Sequence, residues 1–280
     1  MPSPLVSVVI PTRNRASYLD VALGSLVSQE LDGPFELLVA DDWSSDATPE
    51  IVSKWGVRSV RAEHRRGVNA ARNAGVKATT AELVAFLDDD VYAPPGWLQA
   101  VRAGAARYPD ADVFGGPIRA RFEGKTPASC GRESPPITTL DLGDRDTEAP
   151  MVWSANMAVR RSAFKRIGPF DEAIGVGGDE EDWLLALRAA GGSIMYLAQA
   201  GLDHRRAGAD ARLAALVRAA YRRGRAARLS DQRRRRPPSV VRELRVLGGC
   251  AWHGVRFACP QGVIMGAHSA GRIAQALNRG

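Results

Sequence analysis

Cysteine is scarce in this 280-residue chain: Cys130, Cys250 and Cys259 are its only three, they form no CxxC pair, and an odd count argues against a disulfide framework. Cys250, His253 and Cys259 lie near one another in sequence, but their spacing suits a metal site poorly, so packing is their expected role. Long apolar runs are also missing. No window of about 20 residues is free of charge, which excludes an evident membrane-spanning helix. The opening MPSPLVSVVIP has no basic stretch leading into an apolar one, so no secretory signal is expected and a cytoplasmic, reducing location fits. Aromatic residues are few, and Tyr221 stands alone between Arg205 and Arg236, which disfavours stacking on nucleic-acid bases there.

The remaining composition is that of a globular protein, with 45% hydrophobic and 25% charged residues. A chain this long buries roughly three quarters of its unfolded surface, enough for one large domain or one with an appendage. The net charge of +7 is localised: residues 205–236 hold twelve arginines against Asp210 and Asp231, while the remainder has 26 basic and 29 acidic residues. An amphipathic basic helix in that segment suits an anionic membrane surface better than nucleic acid, and a merely solvated face is the plain alternative.

Residues 5–10 (LVSVVI) read as a buried strand stopped by Pro11, with a helix capped by Ser17 and carrying Leu19, Leu23, Leu26 and Val27 on one face. FELLVA at 35–40 is a second strand, Thr48-Pro49-Glu50 opens a second helix, 57–61 is a short strand, 69–78 a helix and 83–87 another strand. Such alternation predicts right-handed crossovers and a mainly parallel α/β sheet flanked by helices, whose ligands bind beyond the strands' carboxyl ends. Thr12-Arg13-Asn14, Asp41-Asp42 and Asp88-Asp89-Asp90 all fall at such ends. The second half reads as a strand over 112–118, a loop over 122–148, a strand over 151–159, a helix over 161–167, a helix over 180–190 and a last strand over 193–197. A basic helix follows over 210–228, then a linker at 231–238 and a helical tail.

Three consecutive carboxylates need a partner to take up their repulsion. Hard oxygen ligands favour Mg²⁺ or Mn²⁺, and an ion there would present open positions to phosphate oxygens, so a metal diphosphate is the expected partner; a solvated acidic turn is the alternative.

VSVVIPTRNR, LLVADDWSSDAT, ARNAG, FLDDDVYAPPGWL, VWSANMAVRRSAFKRIGPFDE and GGDEEDWLLALR, with a His after the last strand, occur in an order that resembles inverting family 2 glycosyltransferases of the GT-A fold. The resemblance spans about residues 5–206 and implies a nucleotide-sugar-binding half at 1–98, an acceptor-binding and catalytic half at 99–206, and a helical basic extension at 207–280. It implies that Pro11, Thr12, Arg13, Asn14 and Arg15 line the nucleotide pocket, and that Asp42 or Asp41 accepts a uracil or thymine N3 proton. Asp88 would contact the ribose, with Asp89 beside it, and Asp90 and His204 would hold the metal. Arg72 would face the nucleotide or diphosphate, and Asp182 would be the catalytic base. Glu181, Trp153 and Asn156 would lie on the acceptor side. A UDP-sugar is the implied donor, with a dTDP-sugar next, and the acceptor would be a glycan, a lipid-linked molecule or a small molecule.

Two positions depart from the family pattern: Trp43 stands where Gly is usual, either stacking on the base or capping the pocket, and Leu184 replaces an acid two residues after Asp182. Arg188 is expected to pair with the acidic cluster. A nucleotidyltransferase using the same crevice, or a non-catalytic nucleic-acid or membrane binder, are the competing readings; neither needs the remote GGDEED acids.

Overall fold

The computed structural model describes residues 3–62, 67–124, 130, 136–174, 179–235 and 237–278. The chain forms two compact units. The first comprises residues 1–120, 138–175 and 179–204; the second comprises 121–137, 176–178 and 205–280. Residues 121–137 thus belong with the C-terminal unit, whereas the sequence reading placed them in the half ending at 206.

In the first unit, strands β1 (Val6–Thr12), β2 (Phe35–Asp41), β3 (Arg58–Arg61) and β4 (Leu83–Phe86) alternate with helices α1 (Ala16–Val27), α2 (Thr48–Lys54) and α3 (Val68–Ala78). The order β3-β2-β1-β4 is parallel throughout. Next come β5 (Val91–Tyr92), α4 (Trp97–Arg107), β6 (Val113–Gly115), β7 (Ile118–Glu123), β8 (Thr147–Glu148), β9 (Met157–Arg160), α5 (Arg161–Ile167), α6 (Asp179–Ala189), β10 (Ile194–Tyr196) and β11 (Leu202–Ala207). Beyond β4 the main sheet continues β9-β6-β10-β8, with β9 antiparallel to both of its neighbours.

β1 explains the uninterrupted apolar run in the sequence, because it is buried on both faces, as parallel central strands are. Val6, Val8 and Ile10 join a core with Leu19, Leu23 and Leu26 of α1 and Trp97, Leu98 and Val101 of α4. Val9 faces the other core, with Val84, Phe86 and the α6 residues Trp183, Leu184 and Leu187. Each fully buried Leu here contributes about 1.5–3 kcal/mol by removal from water. Leu184 is wholly buried, so the departure from the family's acid is a core position in this chain.

Several sequence expectations are corrected. Pro11 does not stop β1; it pairs in register with Ala40, beyond the Val9↔Phe86 end of the β4 pairing, where a missing N–H is tolerated. Ser17 does not cap α1. The Ala16 N–H instead donates to Asp46 Oδ2 at 3.0 Å, and Asp20 binds Lys54 and Trp55. The 151–159 strand begins only at Met157, after a tight turn over Ser154–Asn156. The 112–118 strand is two strands, β6 and β7. Helix α4 and strands β5 and β11 were not anticipated. The stretch 122–148 holds the end of β7, Leu140, which bridges to Ile118, and β8, and its residues 125–129 and 131–135 lie outside the described residues.

The second unit holds α7 (Leu213–Arg233), α8 (Val240–Phe257) and α9 (Pro260–Leu277). Leu216, Ala220 and Ile264 are its buried apolar centre. Arg205 is paired, making two 2.8 Å bonds to Glu123, while Arg225 donates to the neutral Gln275 Oε1. The expected linker is shortened, since α7 runs to Arg233; Arg236 lies outside the described residues. No helix among the described residues is long and apolar enough to cross a membrane.

Candidate active site

The cleft lies beyond the carboxyl ends of β1, β2 and β4, lined by Pro11, Thr12, Arg13, Arg15, Asp42, Val68, Ala71, Asp88, Asp89 and Asp90. Each of the three strand-end clusters contributes to this lining, though Asn14 and Asp41 are not part of it. Gly75 in ARNAG helps: a Cβ there would lie 2.3 Å from Val9 Cγ1, so only glycine lets α3 sit this close on β1.

The aspartate triplet fans out to different partners. Asp89 is buried, accepting from Thr12 Oγ1 at 2.8 Å and pairing with Arg15 Nε at 2.7 Å. Burial pushes its carboxyl up to about 7 against the lowering pull of Arg15, and Asp90 and Asp88 add to the rise. Asp90 Oδ2 pairs with Arg15 NH2 at 2.6 Å, and its Oδ1 lies 3.0 Å from His204 Nε2. Asp88 Oδ1 lies 3.9 Å from Arg72 NH2. The repulsion that the sequence assigns to a metal diphosphate is thus taken up in part by two arginines and a histidine of the chain itself.

His204 arrives on β11, which pairs antiparallel with β5 through Val91. It is 3% exposed, and its Nδ1 lies 3.0 Å from the Thr138 carbonyl oxygen. A carbonyl only accepts, so Nδ1 carries the proton and Nε2 faces the aspartates. Asp88, Asp90 and His204 offer ligand atoms within 4.8 Å of one another. Two carboxylates and an imidazole so oriented fit a hard or borderline divalent cation, and between Nε2 and Asp90 Oδ1 either a proton or a cation must lie. Asp88 thus stands among the residues that could hold a metal, a position beside the ribose contact that the resemblance implies for it.

Arg72 is 3% exposed and stands behind Asp88 of the cleft lining, 3.9 Å from its Oδ1. Its guanidinium donates to Asn69 Oδ1 at 3.2 Å and to Ser154 Oγ at 2.6 Å, and Ser154 Oγ donates to Glu180 Oε1 at 3.3 Å. A polar chain thus runs from Asp88 to the first turn of α6, two residues before Asp182. Ser154 and Thr138 were missed in the sequence: Ser154 sits inside WSAN without a distinguishing pattern, and Thr138 lies in the stretch read as loop. Gly177 and Gly178 of GGDEED are outside the described residues. Glu181 and Asp182 are half-buried on α6.

Other expected residues make contacts within the first unit. Asp41 accepts from the Ser44 N–H at 2.8 Å and pairs with Arg61 at 2.9 Å, away from the cleft lining; Asp42, which accepts from Gly67 N–H and faces Arg13 at 3.5 Å, is the one that lines it. Asn14, at φ +52°, holds the 44–45 turn through Ser44 Oγ and Ser45 N. Trp43 has φ +60°, the left-handed conformation that explains the family's glycine, and its Nε1 donates to the Ala62 carbonyl. Asn156 is 2% exposed and its amide is committed to Trp97 Nε1, Pro117 O and Ala200 O, while Trp153 packs half-buried on the core. Arg188 donates to the Pro150 carbonyl.

The family model for glycosyl transferase family 2 matches residues 7–168. The chain belongs to glycosyl transferase family 2. This family member is 32% identical over 220 residues to validoxylamine A glucosyltransferase of Streptomyces hygroscopicus subsp. jinggangensis, covering 67% of this chain and 52% of that one. It is 33% identical over 213 residues to the pre-mycofactocin glycosyltransferase of Mycobacterium tuberculosis, covering 71% of this chain and 43% of that one. The chain therefore spans about half the length of these curated relatives. Among solved structures, a Pyrobaculum calidifontis mannosyltransferase in complex with GDP-Man and Mn²⁺ matches with TM-score 0.60 at 19% identity, covering 99% of this chain and 71% of that one. S. aureus TarS 1-349 with UDP-GlcNAc matches at 0.55 and 21%, covering 79% and 66%. The GT-A fold expected of family 2 is the fold of this chain.

Proposed function

We propose that this family 2 protein is an inverting glycosyltransferase that moves a sugar from a nucleotide-diphosphate sugar, with UDP as the nucleotide, to an acceptor hydroxyl. The observation that carries this reading is the convergence of Asp42, Asp88, Asp90 and His204 at one cleft, linked through Arg72 and Ser154 to the acidic start of α6. The neighbours solved with GDP-Man and UDP-GlcNAc support a donor of this class.

Asp42 accepts the uracil N3 proton at the cleft wall. Asp88, Asp90 and His204 would hold Mg²⁺ or Mn²⁺, and such an ion would supply compensation for the charge on the departing diphosphate. Arg13 and Arg15 frame the entrance and orient the phosphates. Asp182 takes the acceptor proton as the hydroxyl oxygen bonds to the anomeric carbon and the bond to the diphosphate oxygen breaks, its electron pair leaving with the diphosphate. Attack opposite the leaving group inverts the centre, and this requires a base on a separate element from the metal ligands, as α6 is from β4.

An Asp182→Asn variant loses about 10²–10⁴-fold in kcat while donor affinity is unchanged, read by turnover and by calorimetric UDP binding. Full activity in that variant assigns the base elsewhere, and transfer of a nucleotidyl group unaffected by it favours the nucleotidyltransferase reading. The acceptor is a glycan, a lipid-linked molecule or a small molecule, and the arginine-rich helix α7 contributes contact with an anionic membrane surface.

A further inference from the structure

Two of the three cysteines and a histidine of the second unit gather at the α8–α9 turn. Cys130, His253 and Cys259 present ligand atoms within 4.8 Å of one another. Cys250, one turn before His253 on the same helix, lines the adjoining cavity with His253, Gln261 and Met265. The spacing of Cys250, His253 and Cys259 points to packing, whereas the partner that changes this, Cys130, lies more than a hundred residues earlier in the chain.

The backbone of the α8–α9 turn, which carries His253 and Cys259, is set by its own contacts. Ala258 adopts a left-handed φ of +45° that ends α8, and Cys259 follows as the residue before α9. The Cys259 N–H donates to the Gly254 carbonyl and its own carbonyl accepts from Gly262 N–H, both at 3.1 Å. A Cβ on Gly262 would lie 2.6 Å from Gly254 N and 2.7 Å from Cys250 O, so the two helices meet backbone to backbone beside the donors. The His253 ring packs on Phe257 at 5.1 Å between centroids, which limits its rotation. Its Nε2 is buried and makes no hydrogen bond among the described residues, and the same holds for Gln261 Oε1 on the same cavity wall. A buried imidazole nitrogen left without a partner is costly unless something coordinates it.

From this geometry we infer a second metal site, in which Cys130, His253 and Cys259 bind a thiophilic divalent cation, zinc, with Cys250 as the chemically matched fourth donor. Two or three thiolates and one imidazole select zinc over the hard ions suited to the aspartate cleft. Each thiol gives up its proton on binding, and the ion replaces the missing partner of His253 Nε2. Its role is structural: it ties the segment carrying Cys130 to the α8–α9 hairpin. The inference does not depend on the proposed transfer reaction.

The test is the metal content of the full chain, purified under reducing conditions and passed over a chelating resin. One zinc per chain is expected to remain. Cys130→Ser, His253→Ala and Cys259→Ser each lose it, whereas Asp90→Asn keeps it. Cobalt added to the stripped wild-type chain gives a thiolate-to-metal charge-transfer band, a readout that needs no variant to fold. Absence of both retained zinc and that band, zinc retained by Cys259→Ser, or a Cys130–Cys259 disulfide in the reduced preparation would each overturn the site.

Discussion

At Arg15 a single guanidinium holds two carboxylates, Asp89 at 2.7 Å and Asp90 at 2.6 Å, while its plane covers the Tyr18 ring. Removing it leaves both acids, each under one tenth exposed, facing each other with less compensation. Arg15→Ala is therefore expected to destabilise the metal-free protein by about 2 kcal/mol, a value below that of a fully buried pair because Arg15 is one third exposed. Mn²⁺ should recover part of that loss, measured by urea denaturation with and without the ion; a loss that Mn²⁺ leaves unchanged would detach the aspartates from metal binding. The residue types at this cleft were legible in the sequence, because acids and arginines at strand ends declare themselves. Their division of labour was not. Asp41 and Asp42 are indistinguishable by sequence, and only the Ser44 and Arg61 contacts show that the first belongs to the turn. Arg72 could be placed in ARNAG but not aimed, since its partners Ser154 and Asp88 come from distant segments.

Among elements, β2 is tied to its neighbours by one carboxylate as well as by its ladder. Glu36 accepts from Ser7 Oγ at 2.6 Å and from Thr80 N–H at 2.7 Å, joining β1, β2 and the approach to β4. Burial raises its pKa, but the hydrogen bonds from Ser7, Thr80 and Ala81 outweigh this and the net shift is below the ordinary 4.5. A depressed folded pKa gives stability that is present above the unfolded value and lost as pH falls through the folded one. Glu36→Gln is expected to cost about 1 kcal/mol at neutral pH and to flatten the fall in stability below about pH 4.5, by denaturant midpoints across that range. An unchanged acid limb would show that Glu36 is not a stabilising carboxylate. On α7, Arg218, Arg222 and Arg225 are exposed at spacings of four and three residues, one helical face. Binding to anionic vesicles that weakens with salt is expected, and equal binding to neutral vesicles would remove the electrostatic basis. The elements with strong periodicity, β1 to β4 and α1 to α3, were readable. β5 and β11 were not, because two-residue pairing and the run LDHRRA carry no apolar alternation, yet β11 delivers His204.

For the molecule as a whole, the order of six weak motifs was more informative than any one of them, and it gave the GT-A architecture over the first unit. The boundaries of the second unit were less accessible, because its segment at 121–137 is separated from α7 to α9 by residues of the first unit. The soft-ligand cluster was hidden for the same reason.

The central claim is that a divalent cation on Asp88, Asp90 and His204 completes a nucleotide-diphosphate site. Thermal unfolding of the full chain with UDP, with and without Mn²⁺, tests it most directly. UDP at a hundredfold its Kd should stabilise the protein by about 2.7 kcal/mol only when Mn²⁺ is present, and not in Asp90→Asn. UDP stabilisation that is equal without metal, or undiminished in Asp90→Asn, would contradict it.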